Sequence, residues 1–465
     1  MDGARPNSPQ SEYRAVWTLG WPLALAQLGI LLAGVVDTVM VARVSVEALA
    51  ACALANMWHW AFMSIGLGLV MGIDAQVSQA HGRRDGDASA RALHRGLILA
   101  IAASIPVTGA LLLTERGMLL LGQSAEVARL AQSYNVIKIP TTFCFLTYAA
   151  FKHYLQGREI VKPATAVMWI ANLLNGFFNW VFIFGNLGAP ALGLEGAAIA
   201  TTITTATEPV LLYAIIKMYA LDQGATRPWD RSSFAWKPLL ETAKLGLPVG
   251  FQMSLEAWAF TMASFMSGWI DVTNIGAHQV VLNMASLAFM IPMGLSMGAS
   301  TRVGNLIGEG DVLAMRRAVR ASLALGAGSM LFSAIAFTTL RFELPELYSD
   351  DAALIALAAG ILPLAGAFQL ADGVQVMACG VLRGMGRPTV AAVINMFGYY
   401  AFALPLAYLM AFELGLGLRG IWAGLALGVG TVAIALAFWA LRTAKRPLEA
   451  LRVGALASVP HAQAT

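Results

Sequence analysis

Three carboxylates lie in stretches of the sequence that are otherwise apolar. Asp37 is the only charged residue in the run 15–42, and Glu256 and Asp372 each lie more than ten residues from the nearest basic residue. A carboxylate in apolar surroundings can hold a proton, a sodium ion or an organic cation, but only one of them at a time. The chemistry that these residues predict is therefore cation exchange.

Amide side chains extend along the same helical faces. Residues three or four apart share one face of a helix. The resulting stripes are Gln252 with Glu256; Gln369, Asp372 and Gln375, with Phe368 one turn back; Asn172, Asn175 and Asn179; and Gln279 with Asn283. Lipid cannot satisfy such groups, so these faces must line a cavity or meet one another. Because amide pairs also stabilise helix packing, by about 0.6 kcal/mol each, a structural role for the asparagines stays open.

The composition indicates the surroundings of these residues. The chain is 58% hydrophobic and only 12% charged, whereas roughly a quarter of the residues in soluble domains are charged. A helix needs about 20 mainly apolar residues to cross a bilayer. Such runs are found at 15–42, 48–73, 93–114, 131–151, 164–185, 193–221, 238–264, 275–300, 318–340, 352–382, 389–411 and 420–441. The sequence therefore predicts an all-α polytopic membrane protein with 12 transmembrane helices.

Within this frame the carboxylates are costly. A charge at the centre of a spanning helix costs about 2.5–3.5 kcal/mol on insertion scales, so such residues are functional candidates. Glu256 and Asp372 lie deep in their runs, and Asp37 lies about 9 Å from Arg43 along a helix, in the outer half. We expect all three to bind the exchanged cation.

Two further charged residues lie within predicted spans. Glu208 precedes Pro209 near the middle of the sixth run, where it could pair with Lys138 or accept protons. Lys138 lies near the outer end of the fourth run and could extend its ammonium group to the membrane surface. The sequence does not choose between these alternatives.

The distribution of basic residues predicts the orientation. The N-terminus, the C-terminus and the loops after even-numbered runs carry 24 of the 30 Lys and Arg residues, and the opposite loops carry 5. By the positive-inside rule both termini are cytoplasmic, with tails at 1–14 and 442–465. The basic balance thus indicates orientation, and we expect no nucleic-acid partner.

Internal similarity divides the chain into two halves. The segments 19–27 (LGWPLALAQ) and 245–253 (LGLPVGFQM) match at an offset of 226, as do HGRRDGDASARAL from His81 and IGEGDVLAMRRAV from Ile307. Each copy holds six runs with the same orientation, so the repeat is parallel about an axis along the membrane normal. This predicts lobes at 15–221 and 238–441, joined by a cytoplasmic linker at 222–237.

Transport is the function class that this architecture favours. Two-lobed carriers keep their site near mid-membrane and rock one lobe against the other. The chain has no HExxH or GxxxxGK motif, which argues against an enzyme and against drive by ATP. We expect no catalytic residue and no cofactor.

Several segments resemble the multidrug and toxic compound extrusion (MATE) family, and its NorM-type bacterial branch in particular. They are VDTVMVARV in the first run, LPVGFQMSLEAW in the seventh, and QLADGVQVMACGVLRGMGRP across the tenth and its loop. The resemblance extends from about residue 15 to residue 441. It implies two six-helix lobes and an antiporter of the bacterial inner membrane that exports cationic, amphipathic drugs in exchange for Na⁺ or H⁺, and so contributes to antibiotic resistance.

The resemblance also implies roles for single residues. Glu256 and Asp372 would match the cation-binding carboxylates of the C-terminal lobe, with Na⁺ as one candidate ion. Asp37 would match the acidic residue of the N-terminal lobe, beside Asn175 and Asn179. Phe368 stands where the family often has tyrosine, which removes a hydroxyl ligand. The remaining polar residues of the stripes, Gln252, Gln279, Asn283, Gln369 and Gln375, would line the cavity.

Three alternatives stay open. A major facilitator carrier also has six-plus-six helices, but it does not explain the glutamate of the seventh run. A lipid-linked precursor flippase shares the fold and would line its cavity with arginines to hold pyrophosphate, but no arginine lies deep in a run. An intramembrane hydrolase would need a nucleophile and a base that the sequence does not show. Apart from drugs and the lipid bilayer we expect no partner, and we expect a monomer.

Overall fold

The computed structural model describes residues 9–453 of the 465-residue chain, and within this part every regular element is helical. Residues 1–8 and 454–465 lie outside the described residues, and with them the outer parts of both predicted tails. The first helix already begins at Pro9. The helical fold class predicted from composition is confirmed.

The long helices follow the predicted runs. The elements are α1 Pro9–Val41, α2 Val46–Met71, α3 Asp74–Gly82, α4 Gly86–Leu112, α5 Thr114–Leu120, α6 Ala125–Ile137, α7 Ile139–Gly157, α8 Lys162–Phe184, α9 Leu194–Met218, α10 Trp236–Ile270, α11 Val272–Glu309, α12 Val312–Thr339, α13 Glu343–Glu346, α14 Ala352–Gly384, α15 Pro388–Phe397, α16 Leu404–Tyr408 and α17 Gly417–Thr443. Two π-helical segments, Gly398–Ala403 and Leu409–Glu413, continue α15 and α16.

Ten segments of the described chain are long and apolar enough to cross a membrane. The two predicted spans that do not reach this threshold fall on α7 and α10, which are helical but more polar. Lys152 and His153 lie in α7, and Glu256 lies in α10. The predicted run 131–151 is also divided at Lys138, because Pro140 starts a new helix at α7.

The chain forms two compact units, which divide α1 and α10 between them. The N-unit is Ala26–Phe251; the C-unit consists, within the described chain, of residues 9–25 and 252–453. The two division points, 25/26 and 251/252, are 226 residues apart, which is the offset of the sequence repeat. The first part of α1, up to residue 25, therefore belongs to the C-unit, and the first part of α10, up to residue 251, belongs to the N-unit. The sequence repeat alone does not indicate this exchange.

Glycines allow these half-helices to approach their neighbours at backbone distance. In the N-unit, a side chain at Gly68 of α2 would strike the main chain of Gly250 in α10. In the C-unit, a side chain at Gly294 of α11 would strike the main chain of Ala24 in α1. Each residue of the first contact is 226 positions from its counterpart in the second. The two packing contacts are thus copies of each other, and the parallel repeat is confirmed.

Helix starts repeat in the same way. The side chain of Asp85 accepts a hydrogen bond from the backbone N–H of Ala88 at the start of α4 (2.9 Å), and Asp311 accepts one from Ala314 at the start of α12 (2.8 Å). These positions are again 226 apart. The first acidic residue of the HGRRDGD segment, Asp85, is therefore a helix cap.

A second repeated cap opens α2 and α11. Ser45 accepts a hydrogen bond from the N–H of Ala48, and Asp271 accepts one from the N–H of Asn274. The bond from Asn274 holds the pKa of the Asp271 carboxyl below its ordinary value, because it stabilises the charged form. The cap therefore persists at any pH above the ordinary range of an aspartate.

We expect substitution of the contact glycines to destabilise the protein. Gly68→Ala and Gly294→Ala should each lower the free energy of unfolding by about 1–3 kcal/mol, because the added methyl group overpacks a backbone contact. Gly109→Ala and Gly328→Ala are matched controls: a methyl group there meets no atom within 4 Å, so the change should be neutral or slightly stabilising. Thermal unfolding of purified protein in detergent measures this. Equal loss in all four variants would contradict the packing described.

Candidate cation sites

The N-unit holds a carboxylate on α1 that is bound by amide and hydroxyl groups. The Nδ2 of Asn179 donates to Asp37 Oδ1 at 2.5 Å and to Asn175 Oδ1 at 3.2 Å, and Thr201 Oγ1 donates to Asp37 Oδ2 at 3.3 Å. Asp37, Asn175 and Asn179 are all buried. The three residues predicted for this site are therefore brought together by α1 and α8.

Thr201 is the member of this cluster that sequence reasoning missed. It lies on α9, which packs against α8, and its hydroxyl also donates to the carbonyl of Ala197 in its own helix. A threonine in an apolar helix commonly makes only that local bond. Nothing in its spacing therefore distinguishes it from a structural threonine.

A buried lysine lies in the same unit. The Nζ of Lys138 donates to Asn56 Oδ1 at 2.7 Å and lies 4.9 Å from the ring centroid of Tyr134. Its side chain interacts electrostatically with Asp37. Lys138 is only 6% exposed, so the structure does not show the extension to the membrane surface that the sequence allowed.

The C-unit holds the other two carboxylates. Tyr399 donates its hydroxyl to Glu256 Oε1 at 3.3 Å, and Gln375 Nε2 donates to the Tyr399 hydroxyl at 3.1 Å. Asp372, one turn from Gln375 on α14, interacts electrostatically with Glu256. The structure thus joins the predicted stripe on α14 to the predicted carboxylate on α10 through a tyrosine.

Three buried oxygen atoms along this stripe accept no hydrogen bond within the described part of the chain. They are Gln369 Oε1, Asp372 Oδ1 and Gln375 Oε1. The amide nitrogen of Gln369 donates to the carbonyl of Ala285 (3.1 Å), which fixes the oxygen on the other side. No basic side chain contributes to the electrostatics of either Glu256 or Asp372. The cluster therefore has more acceptors than donors.

Aromatic rings pack together next to Tyr399 in the C-unit. The ring of Phe368 meets Phe260 at 5.8 Å and Trp422 at 5.9 Å between centroids, both edge to face, and Phe260 lies 6.1 Å from Tyr399. Phe368 has no hydroxyl, whereas Tyr399 provides one to the same cluster. The hydroxyl that the sequence lacks at position 368 is thus supplied by the π-helical segment after α15.

The remaining predicted residues lie apart from the carboxylate contacts. Gln252 donates to Cys379 Sγ at 3.2 Å, Gln279 donates to Ser264 Oγ at 3.2 Å, and Asn283 donates to the carbonyl of Gln279 at 2.9 Å. Their proposed place in a cavity lining stays a prediction. Cys379 also accepts from Asn395 (3.4 Å), so the thiol is held by two amides.

The neighbour of Glu208 is not Lys138. Glu208 is buried on α9, and the cation that interacts with it electrostatically is Lys152 of α7. Lys138 is bound elsewhere, so of the two roles that the sequence left open for Glu208, proton acceptance stays a prediction. The Oε2 atom of Glu208 accepts no hydrogen bond within the described residues.

A buried contact between a carboxylate and a histidine lies at the start of α3. Asp74 Oδ1 lies 2.8 Å from His153 Nδ1 of α7, and both side chains are almost fully buried. The histidine gives the buried carboxylate a partner within the protein. The spacing of the two residues in sequence gives no sign of this contact.

Transition-metal chemistry has no site in the described residues. Among them, no group of three or more His, Cys, Asp and Glu side chains could hold a metal ion. A hard cation such as Na⁺ prefers oxygen ligands, which the amides, hydroxyl and carboxylates of the C-unit provide. Cys52, Cys144 and Cys379 are all free thiols.

Comparison with known proteins identifies the family. The MatE family model matches residues 22–181 and 248–409. The chain belongs to the MatE family. The two matched segments begin 226 residues apart, so the family model recognises each repeat separately. Membership also agrees with the expectation that the chain is not an enzyme, and it excludes the major facilitator alternative.

Curated relatives and solved structures cover nearly the whole chain. The probable multidrug resistance protein NorM of Agrobacterium fabrum is 31% identical over 457 residues, 95% of this MatE chain and 96% of that protein. Multidrug and toxin extrusion protein 2 of Mus musculus is 31% identical over 445 residues, 95% of this chain and 76% of that protein.

Two solved structures share the fold. The crystal structure of the eukaryotic MATE transporter AtDTX14 has a TM-score of 0.85 at 22% identity and covers 95% of this chain and 99% of its own. The Vibrio cholerae MATE transporter VcmN in the bent form has a TM-score of 0.81 at 19% identity, covering 94% and 97%. At this level of identity the likeness shows the fold alone.

The hydroxyl of Tyr399 should be measurable as a stabilising group. Tyr399→Phe removes the donor to Glu256 and the acceptor for Gln375, so we expect the free energy of unfolding to fall by about 1–3 kcal/mol. Tyr400→Phe is the matched control, because its hydroxyl donates only to the carbonyl of Leu255 at the surface. Thermal unfolding in detergent compares the two. Equal stability of both variants would show that the contact to Glu256 is not made.

Proposed function

We propose that this protein is a secondary multidrug antiporter that exports cationic, amphipathic drugs in exchange for H⁺ or Na⁺ by alternating access. Asp37, Glu256 and Asp372 bind the coupling cation. No cofactor takes part, because exchange needs only a charge that can be neutralised alternately by drug and ion. The substrate class rests on the relatives, whose names state multidrug resistance and multidrug and toxin extrusion.

The observation that carries this proposal is the excess of acceptors in the C-unit. Two carboxylates, two amide oxygens and one hydroxyl cluster there without a basic partner. An unpaired buried charge of this kind is costly. A cation or a proton would supply the missing positive partner and would bind where three acceptor oxygens have no donor.

Exchange follows from the lack of a positive partner for the carboxylates of the C-unit. A buried carboxylate pair cannot accommodate two large cations, so a drug cation and a coupling ion compete for the same charge. The rings of Phe260, Phe368 and Trp422 offer edges and faces that suit an organic cation with an apolar body. Binding of the coupling ion then releases the drug, and the next drug displaces the ion.

The setting of the protein completes the proposal. It is a multi-pass membrane protein, and we place it in the bacterial inner membrane because its relatives include proteins from Agrobacterium fabrum and Pseudomonas putida. The basic loops orient both termini to the cytoplasm. The predicted lobes 15–221 and 238–441, with their linker 222–237, and the monomeric state are part of the same proposal.

The flippase alternative finds little support in the charges. A carrier of pyrophosphate-linked lipids needs cationic groups where the head group binds. The clusters in both units are built around carboxylates, and the single basic residue in either, Lys138, is already bound to Asn56. An anionic substrate would therefore meet like charge in the C-unit, whereas an organic cation would meet its counter-ion.

Efflux of a fluorescent organic cation tests the proposal. We expect Asp37→Asn, Glu256→Gln and Asp372→Asn to lose most gradient-driven efflux from proteoliposomes, since each removes an exchangeable charge. Glu413→Gln, at an exposed carboxylate, is the control and should export normally. Imposing a Na⁺ gradient and a pH gradient in turn identifies the coupling ion. Normal export by all three site variants would show that these acids are structural.

Glu208 is tested by charge balance. If Glu208 accepts protons during transport, Glu208→Gln should lower pH-driven efflux, and the double variant Glu208→Gln with Lys152→Met should stay impaired. If Glu208 serves only to balance Lys152, neutralising both residues should restore efflux. We expect the first result, because Glu208 Oε2 has no hydrogen-bond partner within the described chain.

A further inference from the structure

The N-unit cluster differs from the C-unit cluster in one respect: it contains its own cation. Lys138 lies at the junction of α6 and α7 and is 6% exposed. In the C-unit no basic side chain contributes to the electrostatics of the carboxylates. The two sites of one protein therefore begin from different charge balances.

Lys138 has two contacts that suit an ammonium group. Its Nζ donates to Asn56 Oδ1 at 2.7 Å, and it faces the ring of Tyr134 at 4.9 Å. An amide oxygen and an aromatic face both stabilise an ammonium group. The amide of Asn56 is oriented in turn, since its Nδ2 donates to Cys52 Sγ at 3.5 Å.

Four titratable side chains face this ammonium group from the packed helices. They are Asp37 of α1, Cys52 and His59 of α2, and Tyr134 of α6. Among these four, Asp37 is the only carboxylate. Contacts of α9 link the two residues, since Thr201 donates to Asp37 Oδ2 at 3.3 Å and Thr202 donates to the carbonyl of Ile137, next to Lys138, at 3.0 Å. Asp37 is therefore the carboxylate that balances the ammonium group of Lys138.

The oxygen atoms of this cluster are also largely occupied. Both carboxylate oxygens of Asp37 accept hydrogen bonds, and Asn175 Oδ1 accepts one from Asn179. Asn56 Oδ1 is taken by Lys138. The one amide oxygen of the cluster without a donor among the described residues is Asn179 Oδ1, compared with three such oxygens along the stripe of Gln369, Asp372 and Gln375 on α14.

Sodium and the proton respond differently to this arrangement. Sodium must exchange its hydration shell for several oxygen ligands at once, and few are free here. It would also have to enter a cluster that already holds a positive charge, and a like charge roughly 6–12 Å away weakens cation binding in protein by about ten- to a hundredfold. A proton needs only one lone pair of Asp37, and a buried carboxylate binds it tightly enough to tolerate the same repulsion.

We propose that Lys138 is a built-in counter-cation of the Asp37 cluster, which excludes sodium from it and leaves the proton as the cation that Asp37 exchanges. This inference rests on the proposed antiport function and adds the ion specificity of one of its sites. Lys138 is thus a specificity-determining residue. The C-unit, without such a cation, keeps the oxygen ligands that a sodium ion would need.

Direct binding of radioactive sodium to purified protein tests this without transport. In a background carrying Glu256→Gln and Asp372→Asn, Asp37 is the carboxylate left among the three, and we expect no binding that depends on it. Adding Lys138→Met should raise the affinity of the Asp37 cluster for sodium by at least about tenfold. Sodium binding should then become measurable, and Asp37→Asn should abolish it. Lys138→Arg keeps the charge and is the matched control, which should bind no sodium at Asp37.

Two outcomes would overturn the inference. One is equal Asp37-dependent sodium binding with and without the lysine, and the other is a folded Lys138→Met protein that gains no binding. If Lys138→Met does not fold, the wild type decides alone: Asp37→Asn should leave its sodium binding unchanged, and a decrease would contradict the proposal. Failure of the wild type to export a cation under any gradient would instead remove the proposed function, since sodium binding is measured without transport.

Discussion

Backbone contact at glycine is the constraint on which the rest of the structure depends. At Gly68 with Gly250, and at Gly294 with Ala24, two helices meet with no side chain between them. These contacts fix the first halves of α10 and α1. Glu256 and Asp37 lie in the second halves of the same two helices. In a surrounding without water, helices gain little from apolar attraction and rely on close packing. The positions of the two carboxylates therefore depend on packing contacts elsewhere along their helices.

The same constraint explains which charges are tolerated. A buried carboxylate must find donors within the protein, and the two units answer this differently. Asp37 has an amide, a hydroxyl and an ammonium group around it, whereas Glu256 has a tyrosine hydroxyl and Asp372 has an unpartnered oxygen. The positions related to Asp37 and Glu256 by the repeat are Ala263 and Ile30. The fold is duplicated, but its charges are not.

The helical fold, the repeat and the carboxylates could be predicted from the sequence, because hydropathy, offset and depth are local properties. Asp37, Asn175 and Asn179 meet as predicted, and so does the stripe of α14 with Glu256. Tyr399, Thr201 and the contact of Lys138 with Asn56 could not be found, since they depend on how distant helices rotate against each other. The neighbour of Glu208 could not be found for the same reason: depth along the chain does not specify a partner. The division of α1 and α10 also required the structure.

That division bears on how such a chain could have arisen. Each compact unit includes the first half-helix of the other repeat. A single repeat, translated alone, would have no partner for its first half-helix, and its other helices would lack the half-helix that packs on them. Two identical copies would supply both contacts by exchanging these segments, as a domain-swapped homodimer does. Fusion of two such genes would preserve the exchange of half-helices while allowing each copy to acquire its own charges.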